Sequence, residues 1–268
     1  MNITKHKKIT EYKAVIFDLD GTLYFQTKLR LIMACCLGGY YVSHFWKFKE
    51  LLALKKFREV RERWDDISST DESVRGVADG EESVSVDKAV PVGTDETLAL
   101  NAEAAACDES SRLSLDEAQY CYVSRKMHMS AEHVCAVVEE WMYEKPLSTL
   151  MECRDEALVD FINILREQGI SVMIYSDYPV ADKLRALDIP ADKTYSALDE
   201  DIMSLKPDPK GLLKILSDNQ FQPSDIIMIG DRMSKDGQAA INTGVDYIIL
   251  EKSATAREKL YAELLKEI

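Results

Sequence analysis

Apolar residues gather in short runs near the start of the chain and again beyond residue 170. The runs at 12–17, 170–175, 225–229 and 246–250 are rich in Val, Ile, Met and aromatic side chains with little polar alternation, as strands buried on both faces are. Between the last three the period changes. In DEALVDFINILREQG, residues Leu158, Phe161, Ile162 and Leu165 recur at the spacing of one helix face, and Gly169 closes the run. Pro179 opens a further helical pattern and residues 233–242 form another. Strands alternating with helices predict an α/β fold, a doubly wound, Rossmann-like parallel sheet covered on both faces.

Residues 26–145 break that alternation. They carry helical patterns with no clear strand, which predicts an inserted α-helical cap domain, with 1–25 and 146–268 forming the core. An apolar, then basic and amphipathic stretch covers 29–64, and Gly38 and Gly39 are the expected break within it. Ser114-Leu-Asp-Glu117 is a capping box that starts a helix through about residue 126, and 130–143 is the next. Ser, Asp, Glu, Gly and Val without sustained period mark an acidic, mobile excursion within about 65–113, with a short helix near 96–106. Residues 31–46 carry no charge between Arg30 and Lys47. They read as cap core, as the wall of a pocket for a substrate with an apolar portion, or as a surface touching a membrane.

Composition adds mainly exclusions. A hydrophobic fraction of 46% and a charged fraction of 30% fit a globular chain, and no run approaches the ~20 apolar residues of a membrane span. The start has lysines but no apolar stretch of a secretory signal, so a cytoplasmic location is expected. Of the net charge of -14, residues 65–117 supply fifteen acids against Arg75, Lys88 and Arg112. Such a surface repels phosphate backbones and argues against a nucleic-acid partner. The six cysteines form no CxxC pair and read as reduced, structural thiols; His44, His128 and His133 read as packing or surface residues.

The chemistry concentrates past the strand ends, where ligands of open parallel sheets bind. Asp18 and Asp20 stand two apart after the first strand and so face one way, with Gly21 and Thr22 following. Ser176 follows the second strand; Lys206 sits in LKPDP; Asp231 and Asp236 follow the third core strand in GDRMSKD. Clustered carboxylates need a cation, and oxygen-only donors suit Mg2+. A lysine and a hydroxyl beside them suit a phosphoryl group.

These four segments, VIFDLDGTLY, YSD, LKPDP and IGDRMSKD, resemble the four motifs of the haloacid dehalogenase superfamily, in the family's order. The long interval between the first two resembles its inserted cap. The resemblance implies a Mg2+-dependent phosphatase acting on a small phosphorylated metabolite. Asp18 would be the nucleophile that forms an aspartyl-phosphate, and Asp20 the acid and base, its pKa raised with the help of neighbouring carboxylates. Ser176 and Lys206 would hold the phosphoryl group, Lys206 also balancing Asp18. Mg2+ would sit on Asp18, the Asp20 main-chain carbonyl and Asp231, with Asp236 supporting. Dehalogenases of the family lack the second acid. Asp177 stands where the family often has Asn, and Arg232 and Lys235 make the fourth motif unusually positive. A phosphomutase, a phosphonate hydrolase using a cap lysine (Lys28, Lys47, Lys55 or Lys56) and a non-catalytic scaffold are the alternatives.

Overall fold

The computed structural model describes residues 2–70 and 113–268. Its sheet has six strands in the order β1 (Asn2–Thr4), β6 (Asp246–Ile249), β5 (Ile226–Gly230), β2 (Ala14–Phe17), β3 (Ser171–Ser176), β4 (Lys193–Ser196). All neighbours are parallel except β1, which runs against β6. Alternate side chains go to opposite faces. Val15, Phe17, Ile174 and Ile229 join one core with helices α7 (Glu156–Glu167) and α11 (Ala254–Leu265), while Ala14, Ile16, Met173 and Met228 join another with α9 (Lys210–Asn219) and α10 (Gln238–Thr243). Burial on both faces is why the sequence shows continuous apolar runs there.

The four core strands lie within two residues of their expected positions. Strands β1 and β4 were not expected. Asn2–Thr4 is a three-residue edge, and Lys193–Ser196 (KTYS) buries only its last two residues, so neither carries a hydrophobic signal.

Between β2 and β3 lie α1 (Gln26–Ser43), α2 (Phe48–Glu62), α3 (Trp64–Thr70), α4 (Leu115–Met127), α5 (Ala131–Val138) with a π turn at Glu139–Glu144, and α6 (Leu147–Cys153). Both bonds of the Ser114–Glu117 capping box form, at 2.7 and 3.2 Å. Phe57 stacks on Tyr120 with centroids 5.3 Å apart, joining α2 to α4. Residues 65–70, expected to open the acidic excursion, are helical, and 71–112 lie outside the described residues. The helix expected near 96–106 lies outside the described residues, as does Cys107; the other five cysteines are free thiols.

Two expectations for 29–46 need correction. Helix α1 runs unbroken through Gly38 and Gly39, whose surroundings are open, and the chain turns instead at His44. The stretch is also far from fully buried. Only Leu29, Met33 and Tyr41 of α1 are buried, whereas Leu31, Val42, Phe45 and Trp46 are 65–81% exposed. Among the described residues no helix is long and apolar enough to cross a membrane.

From β2 the chain steps outward through β3 and β4, then returns to β5 on the other flank of β2. That reversal opens a crevice at the carboxyl ends of β2 and β5, where the acidic motifs lie.

Candidate active site

Asp18 is the first residue past β2, and its N–H still donates to Ile229 O at 2.9 Å, so the sheet ladder itself fixes its position. Thr22 Oγ1 donates to Asp18 Oδ2 at 3.1 Å. Gly21 has φ +98°, and a Cβ there would lie 2.4 Å from Asp231 Oδ2. Only glycine permits both this turn and the approach of the fourth motif. From behind, buried Arg257 donates to Gly21 O at 2.6 Å and Thr22 O at 3.1 Å while pairing with Asp155 at 3.2 Å. Arg257 is thus a positioning residue for the loop.

Lys206 is fully buried. Its ammonium donates to Asp18 Oδ1 at 2.5 Å and Asp236 Oδ1 at 2.6 Å, with Tyr175 O at 3.4 Å. The other Asp236 oxygen accepts from the Asp231 and Arg232 N–H groups at 3.2 and 3.0 Å, which shapes the loop after β5. Asp177 accepts the Lys206 backbone N–H at 2.9 Å, so this departure from the family pattern supports the lysine segment. Buried Ser176 ends β3, its oxygen accepting from Tyr178 N–H at 3.0 Å and its proton left to donate.

The carboxylates expected to hold a metal lie close together. Asp18 and Asp231 of that set bring carboxylate oxygens within 4.8 Å of one another together with Asp236, while Asp20, expected to contribute only its main-chain carbonyl, turns its carboxylate to Lys183 and Tyr24. Asp231 Oδ1 is buried with no hydrogen-bond partner, and Arg232 Nε stays 4.0 Å away. Three carboxylates against the Lys206 ammonium and the more distant Arg232 guanidinium, with an oxygen among them that accepts no hydrogen bond, fit a hard divalent cation such as Mg2+. Burial, then the charge of Asp236, pushes Asp18 up to about 8 against the pull of Lys206; burial and Asp236 push Asp231 up to about 6.

Asp20 departs from expectation. Lys183 on α8 (Ala181–Leu187) donates to both its oxygens at 2.6 and 2.9 Å, and Tyr24 OH donates to one of them. Burial opposes its charge, but the Lys183 ammonium and these bonds outweigh burial and hold the carboxyl below its ordinary value. Neighbouring carboxylates therefore do not raise it; a cation sets its state.

Asp20, Lys183 and Arg232 face Leu29, Met33 and Met142 across a cavity of about 400 Å³ between sheet and helical layer. Arg61 of α2 spans the two, donating to Asp177 O and lying 4.7 Å over the Tyr178 ring, and Arg232 donates to Glu62 at 2.8 and 3.0 Å. Lys28, Lys47, Lys55 and Lys56 do not line this cavity. The fourth-motif arginine therefore faces the cavity and binds the helical layer. His44 stacks on Tyr40 and His133 bonds Glu50 at 3.1 Å, as packing residues do.

The model of haloacid dehalogenase-like hydrolases matches residues 12–244, spanning all four motifs. The chain belongs to this family. Solved structures with a similar fold include the putative hydrolase YfnB from Bacillus subtilis bound to magnesium (TM-score 0.52, 14% identity, covering 95% of this chain and 99% of that one). Another is a 2-haloacid dehalogenase from Pseudomonas syringae pv. Tomato DC3000 (0.50, 17%, 89% and 86%). A HAD phosphatase from Thermococcus onnurineus is also similar (0.45, 18%, 89% and 86%). Among curated proteins none matches. At such identities the likeness of this hydrolase to the solved structures concerns its fold.

Proposed function

We propose that this hydrolase is a cytoplasmic, Mg2+-dependent phosphatase cleaving a small phosphomonoester through an aspartyl-phosphate on Asp18. The carrying observation is the unpartnered Asp231 oxygen inside the carboxylate cluster around the candidate nucleophile. Asp18, Asp231 and the Asp20 main-chain carbonyl would hold Mg2+, which when bound offsets negative charge on the cluster and on the phosphoryl oxygens. Lys206 and the Ser176 hydroxyl orient the phosphoryl group. An Asp18 oxygen attacks phosphorus, the ester P–O bond breaks, and the departing oxygen takes the proton of the Asp20 carboxyl. Asp20 then takes a proton from water, whose oxygen attacks phosphorus and frees Asp18 with inorganic phosphate. The helical layer excludes bulk water.

In the resting geometry Lys183 keeps Asp20 ionised. An arriving phosphoryl dianion competes for that ammonium and lets Asp20 hold a proton. Lys183→Gln removes the cation and raises the Asp20 pKa, so the alkaline limb of kcat, where the acid form is lost, moves to higher pH. A profile unchanged in Lys183→Gln would detach Asp20 from the acid role.

The raised Asp18 and Asp231 carboxyls also couple metal to pH. Their folded pKa values exceed the unfolded ones, so the stability they contribute is complete below about pH 4 and is lost as pH rises toward 8. Without metal, melting temperature should fall over that window. Mg2+ binding should release protons and stabilise more at pH 8 than at pH 5, which calorimetry in buffers of different ionisation enthalpy measures.

The decisive assay is phosphate release from p-nitrophenyl phosphate and a panel of esters, with Mg2+ or EDTA, beside halide release from 2-chloropropionate. Mg2+-dependent phosphate release is expected. Halide release without phosphate release would overturn the reading.

A further inference from the structure

The cavity beside Asp20 does not end at its own wall. A second groove of about 370 Å³ shares Arg58, Trp141 and Met142 with it and continues along Leu37, Leu51, Leu52 and Leu54 between α1 and α2, with Lys55 and Glu59 also in its lining. The two spaces differ in chemistry. Cations and Asp20 gather at the sheet end, where Lys183 and Arg232 stand; Leu29 and Met33 begin the apolar part, and leucines dominate the far end. Leu52 stays 44% exposed and Phe48, one helical turn before it, 53%, so the apolar strip runs on to the surface. A substrate made only of hydroxyls and phosphate would leave the four leucines of this groove without a partner.

We propose that the substrate is a phosphomonoester carrying a linear apolar chain, its phosphoryl group at Asp18 and its chain passing Met33, Trp141 and Met142 into the leucine groove. This rests on the phosphatase reading above and names its substrate class. Arg58 lines both spaces, so its guanidinium can serve the anionic head while its methylenes cover the start of the chain. Full burial of a methylene is worth about fourfold in binding, so partial burial of several gives a gain that grows with chain length until the groove is filled.

The test is kcat/KM for n-alkyl phosphates from ethyl to dodecyl, each below its critical micelle concentration, by Mg2+-dependent phosphate release, with p-nitrophenyl phosphate as reference. The expected result is a steady rise, decyl exceeding ethyl phosphate by about 100-fold or more, carried chiefly by KM. Leu52→Glu, a change at a partly exposed site, should cut the decyl-to-ethyl ratio by about tenfold or more. A flat or falling series with p-nitrophenyl phosphate still hydrolysed overturns the apolar-chain proposal and leaves the phosphatase reading standing. A ratio unmoved by Leu52→Glu overturns the groove. No phosphate from any ester, p-nitrophenyl phosphate included, overturns both.

Discussion

Asp18→Asn is expected to lower kcat for phosphate release by on the order of 10⁴-fold or more, with the fold intact. The amide has nearly the shape of the carboxyl it replaces. Its oxygen can accept the Lys206 donor now 2.5 Å from Asp18 Oδ1, and its NH2 can donate to Thr22 Oγ1, now 3.1 Å from the other oxygen. What it lacks is the anionic nucleophile. Burial and Asp236 push the Asp18 carboxyl up to about 8, so without metal it is largely neutral below that pH, and the neutral amide costs the metal-free site little. The melting temperature without Mg2+ should therefore stay level, while stabilisation by added Mg2+ shrinks. Acid-quenched wild-type protein should carry phosphate on Asp18 by mass spectrometry, and Asp18→Asn should carry none. Retention of activity within tenfold would remove Asp18 from the reaction.

The parts of this arrangement that were legible share one property: their signal is local. Strand β2 is buried on both faces, so its apolar run stands out, and Asp18 through Thr22 follow it directly. Lys206 stands out just ahead of Pro207 and Pro209, although its partner Asp18 is 188 residues away. Lys183, Arg61 and Arg257 gave no such signal. Each is a cation on a helix, indistinguishable in sequence from a solvated side chain, and each is held by groups distant in the chain: Asp20, the Asp177 carbonyl, the Gly21 and Thr22 carbonyls. That is also why the direction of the Asp20 shift was misjudged. The neighbouring carboxylates are adjacent in the motifs, but what raises the Asp20 pKa is burial, and the ammonium that outweighs burial arrives from α8. In α1 the apolar run was plain and its exposure was not, since hydrophobicity does not say how many partners surround a helix.

Lys206→Ala should be the most damaging single change to stability near the site. The ammonium is fully buried and pairs with two carboxylates, Asp18 and Asp236, so removing it leaves both without their counter-charge. Stripping one partner from a buried ion pair costs about 3–5 kcal/mol, enough to lower Tm by roughly 6–20 °C in a chain of this size. Turnover should fall by about 10³-fold or more, because in the proposed mechanism the same ammonium would steady the nucleophile and hold the phosphoryl group. The two losses can be separated. Asp236→Asn added to Lys206→Ala removes one stranded carboxylate and should recover part of the lost Tm, yet activity should stay absent, since no neutral group at 236 supplies the missing positive charge beside Asp18. Excess Mg2+ should raise the Tm of Lys206→Ala by more than that of the wild type, because the cation then neutralises a cluster that lacks its own ammonium. Equal gains in both proteins would mean that Lys206 and the metal do not share the same carboxylates, against the 4.8 Å cluster that Asp18 and Asp236 form with Asp231.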